Sequence, residues 1–147
     1  MFCAKRLAFS MIELVFVIVV LGILAAVAVP RFAATRIDAQ ITKGKSDISS
    51  IRSAIISERQ SRLIQGDSAW ITALSGASTN LFDGNDTSHT LLMYGISSGT
   101  SSGHWSGVDP RYGYMVGDDN CTFDYNSTNG RFTLNAGQAS VCDNLVI

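Results

Sequence analysis

Apolar and polar positions divide the chain into three parts, and the first is an almost continuous apolar run. Residues 9–30 contain one charged side chain, Glu13, and are flanked by Lys5 and Arg6 on one side and by Arg31 on the other. About 22 residues at the α-helical rise of about 1.5 Å cross a hydrocarbon core of roughly 30 Å, and in lipid a helix satisfies its own backbone hydrogen bonds. The run therefore predicts a transmembrane helix, and the short segment before it is expected to stay cytoplasmic.

The second part, residues 31–66, is predicted to continue this helix with an amphipathic pattern. Isoleucines recur there at spacings that place them on one helical face, namely Ile37, Ile41, Ile48, Ile51 and Ile55. An apolar stripe on a solvated helix must pack on something, and the rest of the chain has to supply it. Gly66 predicts the helix end. Pro30 removes a helical amide and Gly22 lowers helix propensity by about 1 kcal/mol, so a kink is expected near Pro30.

The third part, residues 67–147, is rich in Gly, Ser, Thr, Asn and Asp and is predicted to form a β-rich globular head. Its predicted strands are Leu91–Ile96, Tyr112–Val116, Cys121–Tyr125 and Arg131–Leu134, each bounded by turn-forming residues. Asn129-Gly130 predicts the turn of a hairpin between the last two strands. Residues 70–81 are expected to form a short helix or a loop, and residues 97–106 a mobile loop. The predicted fold class is α+β, a long N-terminal helix packed on a small antiparallel sheet.

Glu13 is the residue of the apolar run that needs a specific explanation. An ionised carboxylate at the edge of a bilayer is costly, and such residues usually have a partner and a function. No basic residue stands beside Glu13, so we expect the partner to come from another chain. One alternative is a carboxylate that merely reaches the membrane interface. Another is a secretory signal peptide cleaved after Ala26-Val27-Ala28, which is disfavoured by the position of Glu13 and by the helical pattern beyond Pro30.

The N-terminal segment matches a known processing signal. Its residues are Ala8-Phe9-Ser10-Met11-Ile12-Glu13-Leu14, followed by Gly22-Ile23-Leu24-Ala25-Ala26-Val27-Ala28-Val29-Pro30. This segment resembles the class III signal and N-terminal helix of type IV pilins and type II secretion pseudopilins. The resemblance implies cleavage between Ala8 and Phe9 by a prepilin peptidase, N-methylation of Phe9 and a leader of residues 1–8. The family usually has glycine before the cut, where this chain has Ala8.

The resemblance also implies a role for Glu13 in a filament. Cleavage creates an ammonium group at Phe9, with which the Glu13 carboxylate of a neighbouring subunit pairs. Two charges roughly 4 Å apart attract by about 4 kcal/mol at an effective dielectric near 20. Desolvation offsets much of that attraction, so the pair sets register more than strength. The stretch from Gly22 to Pro30 is implied to lose helical structure in the filament, whereas the isolated chain is expected to keep a simple kink at Pro30.

The implied partners and location follow from the same family. The partners are further copies of the chain and related pilins, the prepilin peptidase and the inner-membrane assembly platform. The expected location is the bacterial inner membrane, with the head in the periplasm, and afterwards a pilus or pseudopilus.

Three cysteines are present, and Cys3 lies in the implied leader. Cleavage leaves Cys121 and Cys142, and an even pair in an exported domain predicts a disulfide. It would stabilise the head by about 3 kcal/mol through the denatured state, and it resembles the bridge that bounds the C-terminal region of many type IV pilins. Major pseudopilins typically lack this bridge and carry calcium instead. Two reduced cysteines are the alternative.

Candidate chemistry elsewhere is sparse. His89 and His104 lie in Ser/Thr/Gly-rich segments and are expected to be solvated loop residues. Two acidic clusters, Asp83-Gly84-Asn85-Asp86 and Asp118-Asp119-Asn120, offer oxygen ligands for calcium, but neither matches an EF-hand loop. Turn chemistry explains both clusters, so no cofactor is expected and calcium is the alternative.

Three asparagines occupy glycosylation sequons, each with an aspartate two residues before it. They are Asn85, Asn120 and Asn126. Some bacterial oligosaccharyltransferases require an acidic residue at that place, so these asparagines are candidate glycosylation sites.

These features together predict a non-enzymatic structural subunit of a type IV pilus or pseudopilus. Alternatives are a pseudopilin of a type II secretion system that drives protein export, and a minor competence pilin that binds DNA. A basic patch including Arg111 and Arg131 would indicate DNA binding, although a formal net charge of −1 gives no global footprint for nucleic acid. A membrane-tethered enzyme is disfavoured because the sequence shows no acid/base cluster, nucleophile motif, zinc spacing or phosphate-binding loop.

Overall fold

The computed structural model describes residues 9–76, 79–84 and 90–146, apart from the side chain of Ala33. The chain divides between Arg36 and Ile37 into two compact units. The predicted domain limits at residues 30 and 66 subdivide it differently, since they followed composition rather than contacts.

Helix α1 spans Met11–Ile64, close to the predicted residues 9–66. Its C-terminal end has a specific hydrogen-bonding pattern around Gly66, whose φ of 86° is accessible to glycine at little cost. The Asp67 amide donates to the Arg62 carbonyl at 2.9 Å, and the Gly66 amide donates to the Leu63 carbonyl at 3.1 Å. These two bonds form a Schellman motif, so the predicted glycine stop is confirmed.

The second unit contains two antiparallel sheets and one further short helix. A two-stranded sheet pairs β1 (Asn80–Leu81) with β2 (Ile96–Ser97). A four-stranded sheet has the order β3-β4-β5-β6, and its strands are Trp105–Val108, Arg111–Val116, Asp119–Asn126 and Arg131–Leu134. Helix α2 spans Ser140–Asp143. A long N-terminal helix with small antiparallel sheets confirms the α+β class.

The last three predicted strands are confirmed as β4, β5 and β6, and β6 has the predicted limits. The hairpin between β5 and β6 is also confirmed. Asn126 faces Arg131 in the register, and the Gly130 amide donates to the Asn126 carbonyl at 2.8 Å. Residues 127–130 therefore form a four-residue connection, and Asn129 and Gly130 are its last two residues. Gly130 has a φ of 68°, and a Cβ there would collide with the Trp70 ring.

The predicted strand Leu91–Ile96 is wrong except at its last residue. The amides of Leu91 and Leu92 donate to the carbonyls of Asp83 and Phe82, so they bind a loop rather than a ladder. Met93 and Tyr94, which follow them, are exposed. The apolar composition of the run therefore reflects burial at Leu91 and surface residues further on, not a strand.

The loop predicted for residues 97–106 is wrong at both ends, because Ser97 belongs to β2 and Trp105 and Ser106 belong to β3. Ser98 forms a bridge with Trp105, and the Gly99 amide donates to the Trp105 carbonyl at 2.8 Å. The Gly103 amide donates to the Met115 carbonyl at 2.7 Å. Serine and glycine are abundant there because the turns require them, while these backbone hydrogen bonds fix the segment. Residues 70–76 and 79 form a loop, as one of the two expectations stated.

The core of the second unit lies between the isoleucine face of α1 and an aromatic cluster. Ile48, Ile51 and Ile55 are buried and Ile41 is half-buried, whereas Ile37 is exposed. The facing aromatic residues are Phe82, Trp105, Tyr112, Tyr114, Phe123 and Phe132. The Trp105 indole N–H donates to the Asp47 carboxylate at 2.9 Å, which satisfies a polar group within this contact. The predicted stripe is confirmed from Ile41 onward.

Gly44 is a point of close approach between α1 and the sheet. A Cβ at this position would lie 2.6 Å from Tyr114 Cε1 and 2.7 Å from Leu145 Cδ2. We expect Gly44→Ala to lower the free energy of unfolding, because overpacking costs about 1–3 kcal/mol. The higher helix propensity of alanine offsets about 1 kcal/mol of that cost.

Thermal unfolding of the full chain in detergent measures this effect. Gly22→Ala is the matched control, because a Cβ at Gly22 would meet no atom within 4 Å. Equal or higher stability of Gly44→Ala would contradict the close packing.

Candidate functional site

Ser10 and Glu13 together form the N-terminal end of α1. The Glu13 amide donates to Ser10 Oγ at 3.2 Å, and the Leu14 amide donates to the Ser10 carbonyl at 3.2 Å. Ser10 is therefore the N-cap and Glu13 the third helical residue, which is the sequence pattern of a Ser-x-x-Glu capping box with the serine hydrogen bond formed. A carboxylate in the first turn also interacts favourably with the helix dipole. Glu13 thus has a local role in addition to the one expected from its position in an apolar run.

The Glu13 side chain makes no hydrogen bond or ion pair within the described residues. It lines a shallow groove on the helix surface whose other walls are apolar, formed by Ile12, Val15, Phe16 and Val19. Within the described part of the chain the carboxylate is therefore unpaired, and its neighbours in this groove are apolar.

The apolar run that follows Glu13 is exposed along its whole length. From Phe9 to Phe32 each residue is exposed, except that Ala28 is half-buried. Several large side chains are more than half exposed, among them Phe16, Ile18, Leu21, Ile23, Leu24 and Val27. Among the described residues, α1 is the one helix long and apolar enough to cross a membrane. Burial of this surface requires lipid or another protein.

Gly22 and Pro30 lie inside α1, which continues through both. A Cβ at Gly22 would meet no atom within 4 Å, so nothing in the described monomer requires glycine there. Pro30 cannot donate to the carbonyl of Ala26. The kink at Pro30 and the loss of helical structure in a filament stay predictions. Of the predicted processing residues, Phe9 is exposed just before α1 and Ala8 lies outside the described residues.

Cys121 and Cys142 form a disulfide, with a Cα–Cα distance of 5.4 Å. Both residues are fully buried. The bond joins strand β5 to helix α2, which lacks a side-chain N-cap at Ala139. The predicted pairing therefore holds the C-terminal segment against the four-stranded sheet.

The candidate glycosylation and calcium residues are placed differently from one another. Asn126 is exposed, and its Oδ1 accepts the Thr128 amide at 2.9 Å in the hairpin connection. Asn120 lies on β5, with its amide group over Gly113. Asn85, Asp86 and His89 lie outside the described residues. Within the described ranges, no group of three or more His, Cys, Asp or Glu side chains is arranged to hold a metal ion.

The two arginines of the predicted DNA-binding patch differ in whether a carboxylate is bound to them. Arg111 donates to Asp124 through Nε at 2.8 Å and through Nη2 at 3.1 Å. This bidentate contact lowers the pKa of the Asp124 carboxyl and raises the pKa of Arg111. Arg131 has no carboxylate partner among the described residues. The structure therefore leaves Arg131, but not Arg111, as a free positive charge.

The described residues with the largest pKa shifts are core tyrosines. Burial raises the pKa of Tyr114 to about 12, and the charge of Asp47 adds to the effect. Burial also raises the pKa of Tyr125 to about 12 and that of Tyr112 further. The phenol O–H of Tyr114 donates to the Gln40 carbonyl at 2.8 Å, and that of Tyr125 to the Ile71 carbonyl at 2.7 Å. These shifts accompany hydrogen bonds that tie the core together.

Sequence reasoning missed three residues that the structure makes important. Ser10 was detectable, because Ser-x-x-Glu before an apolar run is a recognised start signal. Gly44 is a glycine within a helical pattern, but its contact with Tyr114 is tertiary. Arg52 donates from Nε and Nη2 to the Phe132 carbonyl on the edge strand β6, at 3.2 and 3.1 Å. No local sequence pattern predicts the contact between Arg52 and the Phe132 carbonyl.

Comparisons with protein-family models, curated proteins and solved structures find no match to this chain. The similarity to pilins therefore rests on the N-terminal residues themselves. The structure adds two observations that do not depend on that similarity. One is an exposed apolar helix whose first turn carries a carboxylate that is unpaired among the described residues. The other is a disulfide-bonded α+β head.

Proposed function

We propose that this chain is a structural subunit of a type IV pilus or pseudopilus, and that its head adopts the type IV pilin fold. The observation that carries the proposal is the exposed apolar helix of the first unit, with Glu13 unpaired in its first turn. Such a surface is stable only in lipid or against other apolar helices. A subunit that is inserted in a membrane and then transferred to a helical bundle meets both conditions in turn.

Glu13 supplies the recognition element in this proposal. Peptidase cleavage after Ala8 leaves an ammonium group at Phe9, four residues before Glu13. The two groups of one chain lie at the same helix end, and the pairing of interest joins Phe9 of one subunit to Glu13 of another. A charge pair of this kind, formed in a medium of low dielectric, discriminates strongly between correct and shifted register.

The disulfide favours a pilin over a major pseudopilin as the specific class. Cys121 and Cys142 close the C-terminal region in the way the pilin resemblance implies. Within the described residues, no cluster suited to a metal accompanies them. A pseudopilin that drives protein export is the second candidate, since it would share the processing signal and the apolar helix.

N-terminal processing gives the direct test of this function. Mature protein is expected to begin at N-methyl-Phe9, because Ala8 is small enough to precede the cut. Intact-mass analysis of the chain from membranes and from sheared surface filaments measures this start. Ala8→Gly is the matched control and should be processed at least as fast, whereas Ala8→Leu should leave full-length precursor in the membrane.

A mature protein that begins after Ala28 would identify the run as a secretory signal peptide and overturn the proposal. A chain that keeps Met1 in cells with an active prepilin peptidase would do the same. Both outcomes are resolved by mass alone, without any assumption about the filament.

A further inference from the structure

The second unit carries an excess of negative charge, yet five of its cations lack acidic partners. Residues 37–147 contain seven Lys or Arg and eleven Asp or Glu, a formal net charge of −4. Two of the seven cations bind carboxylates: Arg62 binds Glu58 and Asp67, and Arg111 binds Asp124. The remaining five have no carboxylate partner among the described residues. Lys43 donates to the Gly103 carbonyl, and Arg52 donates to the Phe132 carbonyl. Apart from Lys43 they are Lys45, Arg52, Arg59 and Arg131.

These four cations form one continuous surface, which we call the cationic strip. Lys45, Arg52 and Arg59 are spaced seven residues apart, so they lie on one face of α1. Arg52 lines one groove with Arg131 and a second groove with Lys45.

Arg59 joins the strip through Trp70. Its guanidinium lies 4.0 Å from the centre of the Trp70 ring, and that ring covers Gly130, the neighbour of Arg131. The Nη1 atom of Arg59 is buried without a hydrogen-bond partner.

The strip has the composition of a protein interface. Ile56 lies between Arg52 and Arg59 along the helix, lines both grooves and is 55% exposed. Arginine is enriched where proteins bind each other, and the buried core of such an interface is apolar. A long polyanion such as nucleic acid is less favoured, because the unit as a whole repels negative charge.

A complementary acidic surface is present on the same unit. Asp118 lies in the turn between β4 and β5, and Asp119 is the first residue of β5. Both are exposed and make no ion pair within the described residues. The Gly117 amide beside them donates to Gln40 Oε1 at 2.9 Å, which fixes this acidic turn at the level of Gln40 on α1.

The two surfaces are displaced along the helix axis. The cationic strip begins five residues after Gln40 and ends nineteen residues after it, so the offset is about 8 to 28 Å at 1.5 Å per residue. An acidic turn and a cationic strip at different levels can meet between two copies that are shifted along α1. Such a contact joins different surfaces of the two copies, and it extends into an open-ended array when repeated.

We infer that the cationic strip of one subunit binds the Asp118-Asp119 turn of a second copy of this chain. The inference rests on the proposed filament function and adds the head contact that accompanies the helix bundle. Because the surfaces are exposed and charged, the contact contributes register and partner choice, and it weakens as salt rises.

Charge exchange in the full-length chain, in cells that assemble its filaments, tests this contact. Lys45→Glu with Arg131→Glu is expected to lower filament yield at least about tenfold, since like charges would then face each other. Asp118→Lys with Asp119→Lys should do the same. Combining all four substitutions should restore most of the yield. Lys45 and Arg131 make no hydrogen bonds through their side chains among the described residues, so the fold is expected to survive.

A second measurement identifies the partner as another copy. Cells co-express one chain with Lys45→Cys and another with Asp119→Cys, and a short bis-maleimide reagent should link the two. Ser57→Cys replaces Lys45→Cys in the matched control, because Ser57 lies on a different exposed face of α1, and this pair should not be linked.

The possible results separate the two proposals. Normal filaments from each double variant, with no cross-link, would overturn the head contact and leave the filament function intact. Normal filaments accompanied by lost retention of DNA or another polyanion would overturn it in favour of a different occupant. Wild-type chain that is processed but enters no filament would overturn both.

Discussion

Replacing Glu13 by glutamine is expected to reduce filament yield by roughly a hundredfold while the chain is still inserted, cleaved and folded. A buried ammonium at Phe9 that loses its carboxylate partner costs about 3 kcal/mol or more, and each 1.4 kcal/mol is a factor of ten in the equilibrium for adding a subunit. The second unit, which begins at Ile37, has its own core and contains neither group. Cleavage and assembly should therefore separate.

Glutamine is the informative substitution because Glu13 also belongs to the cap of α1. Glutamine has almost the same size and is accepted at the third position of a capping box, so Glu13→Gln removes the charge and changes little else. Glu13→Ala removes the charge together with the rest of the carboxyl side chain. If the charge is what matters, the two variants should assemble equally poorly.

Ser10→Ala isolates the other contribution. It removes the hydroxyl that accepts the Glu13 amide but leaves the carboxylate in place. Loss of an N-cap costs about 1 kcal/mol, so a modest reduction in yield is expected. Filament counts by electron microscopy and the amount of mature chain in membranes measure the two steps. Normal assembly of Glu13→Gln would contradict intersubunit pairing, and a larger defect in Ser10→Ala would assign the effect to the helix end.

Local patterns were sufficient to predict α1 and the last three strands. A long apolar run, a stripe of isoleucines and the Gly66 stop are all encoded within a few turns of helix. Strands β4 to β6 are bounded by turn residues, and the hairpin between β5 and β6 is signalled by Asn129-Gly130. Each of these signals acts between residues that are close in sequence, which is why the sequence reveals them.

The errors occurred where burial depends on distant residues. Strand β3 begins at Trp105, whose indole is fixed by Asp47 from α1 across 58 residues of sequence. Without that contact the preceding Ser/Gly-rich segment resembles an unrestrained loop. Leu91 and Leu92 resemble a strand by composition, but their amides bind the carbonyls of Asp83 and Phe82.

The same difference between local signals and distant contacts applies to the candidate assembly residues. Glu13 and the processing motif are readable because they form a contiguous signal. The cationic strip is not contiguous, since it combines three positions on α1 with Arg131 from β6. Its significance also depends on which other cations have acidic partners, and only the folded unit decides that.

Removing the disulfide is expected to have the largest effect on the stability of the head. Cys121 and Cys142 are 21 residues apart in sequence, and a crosslink that closes a loop of this size contributes about 3 kcal/mol by restricting the unfolded chain. The double substitution Cys121→Ala with Cys142→Ala should therefore lower the free energy of unfolding by about that amount. Alanine is preferable to serine because both sites are fully buried and would leave a hydroxyl unpaired.

The loss should be uneven within the head. Helix α2 has four residues and no side-chain cap, and Leu145 beyond it is buried near Gly44. Without the crosslink, we expect residues 136–146 to lose hydrogen-exchange protection first, while β4 and β5 stay protected by their ladder. Hydrogen exchange and thermal unfolding of the full chain in detergent measure the two effects. Cys3→Ala, which leaves both bridging cysteines in place, is the control. Unchanged unfolding of the double variant, or reactive thiols at both Cys121 and Cys142 in the untreated protein, would show that the bridge does not stabilise the head.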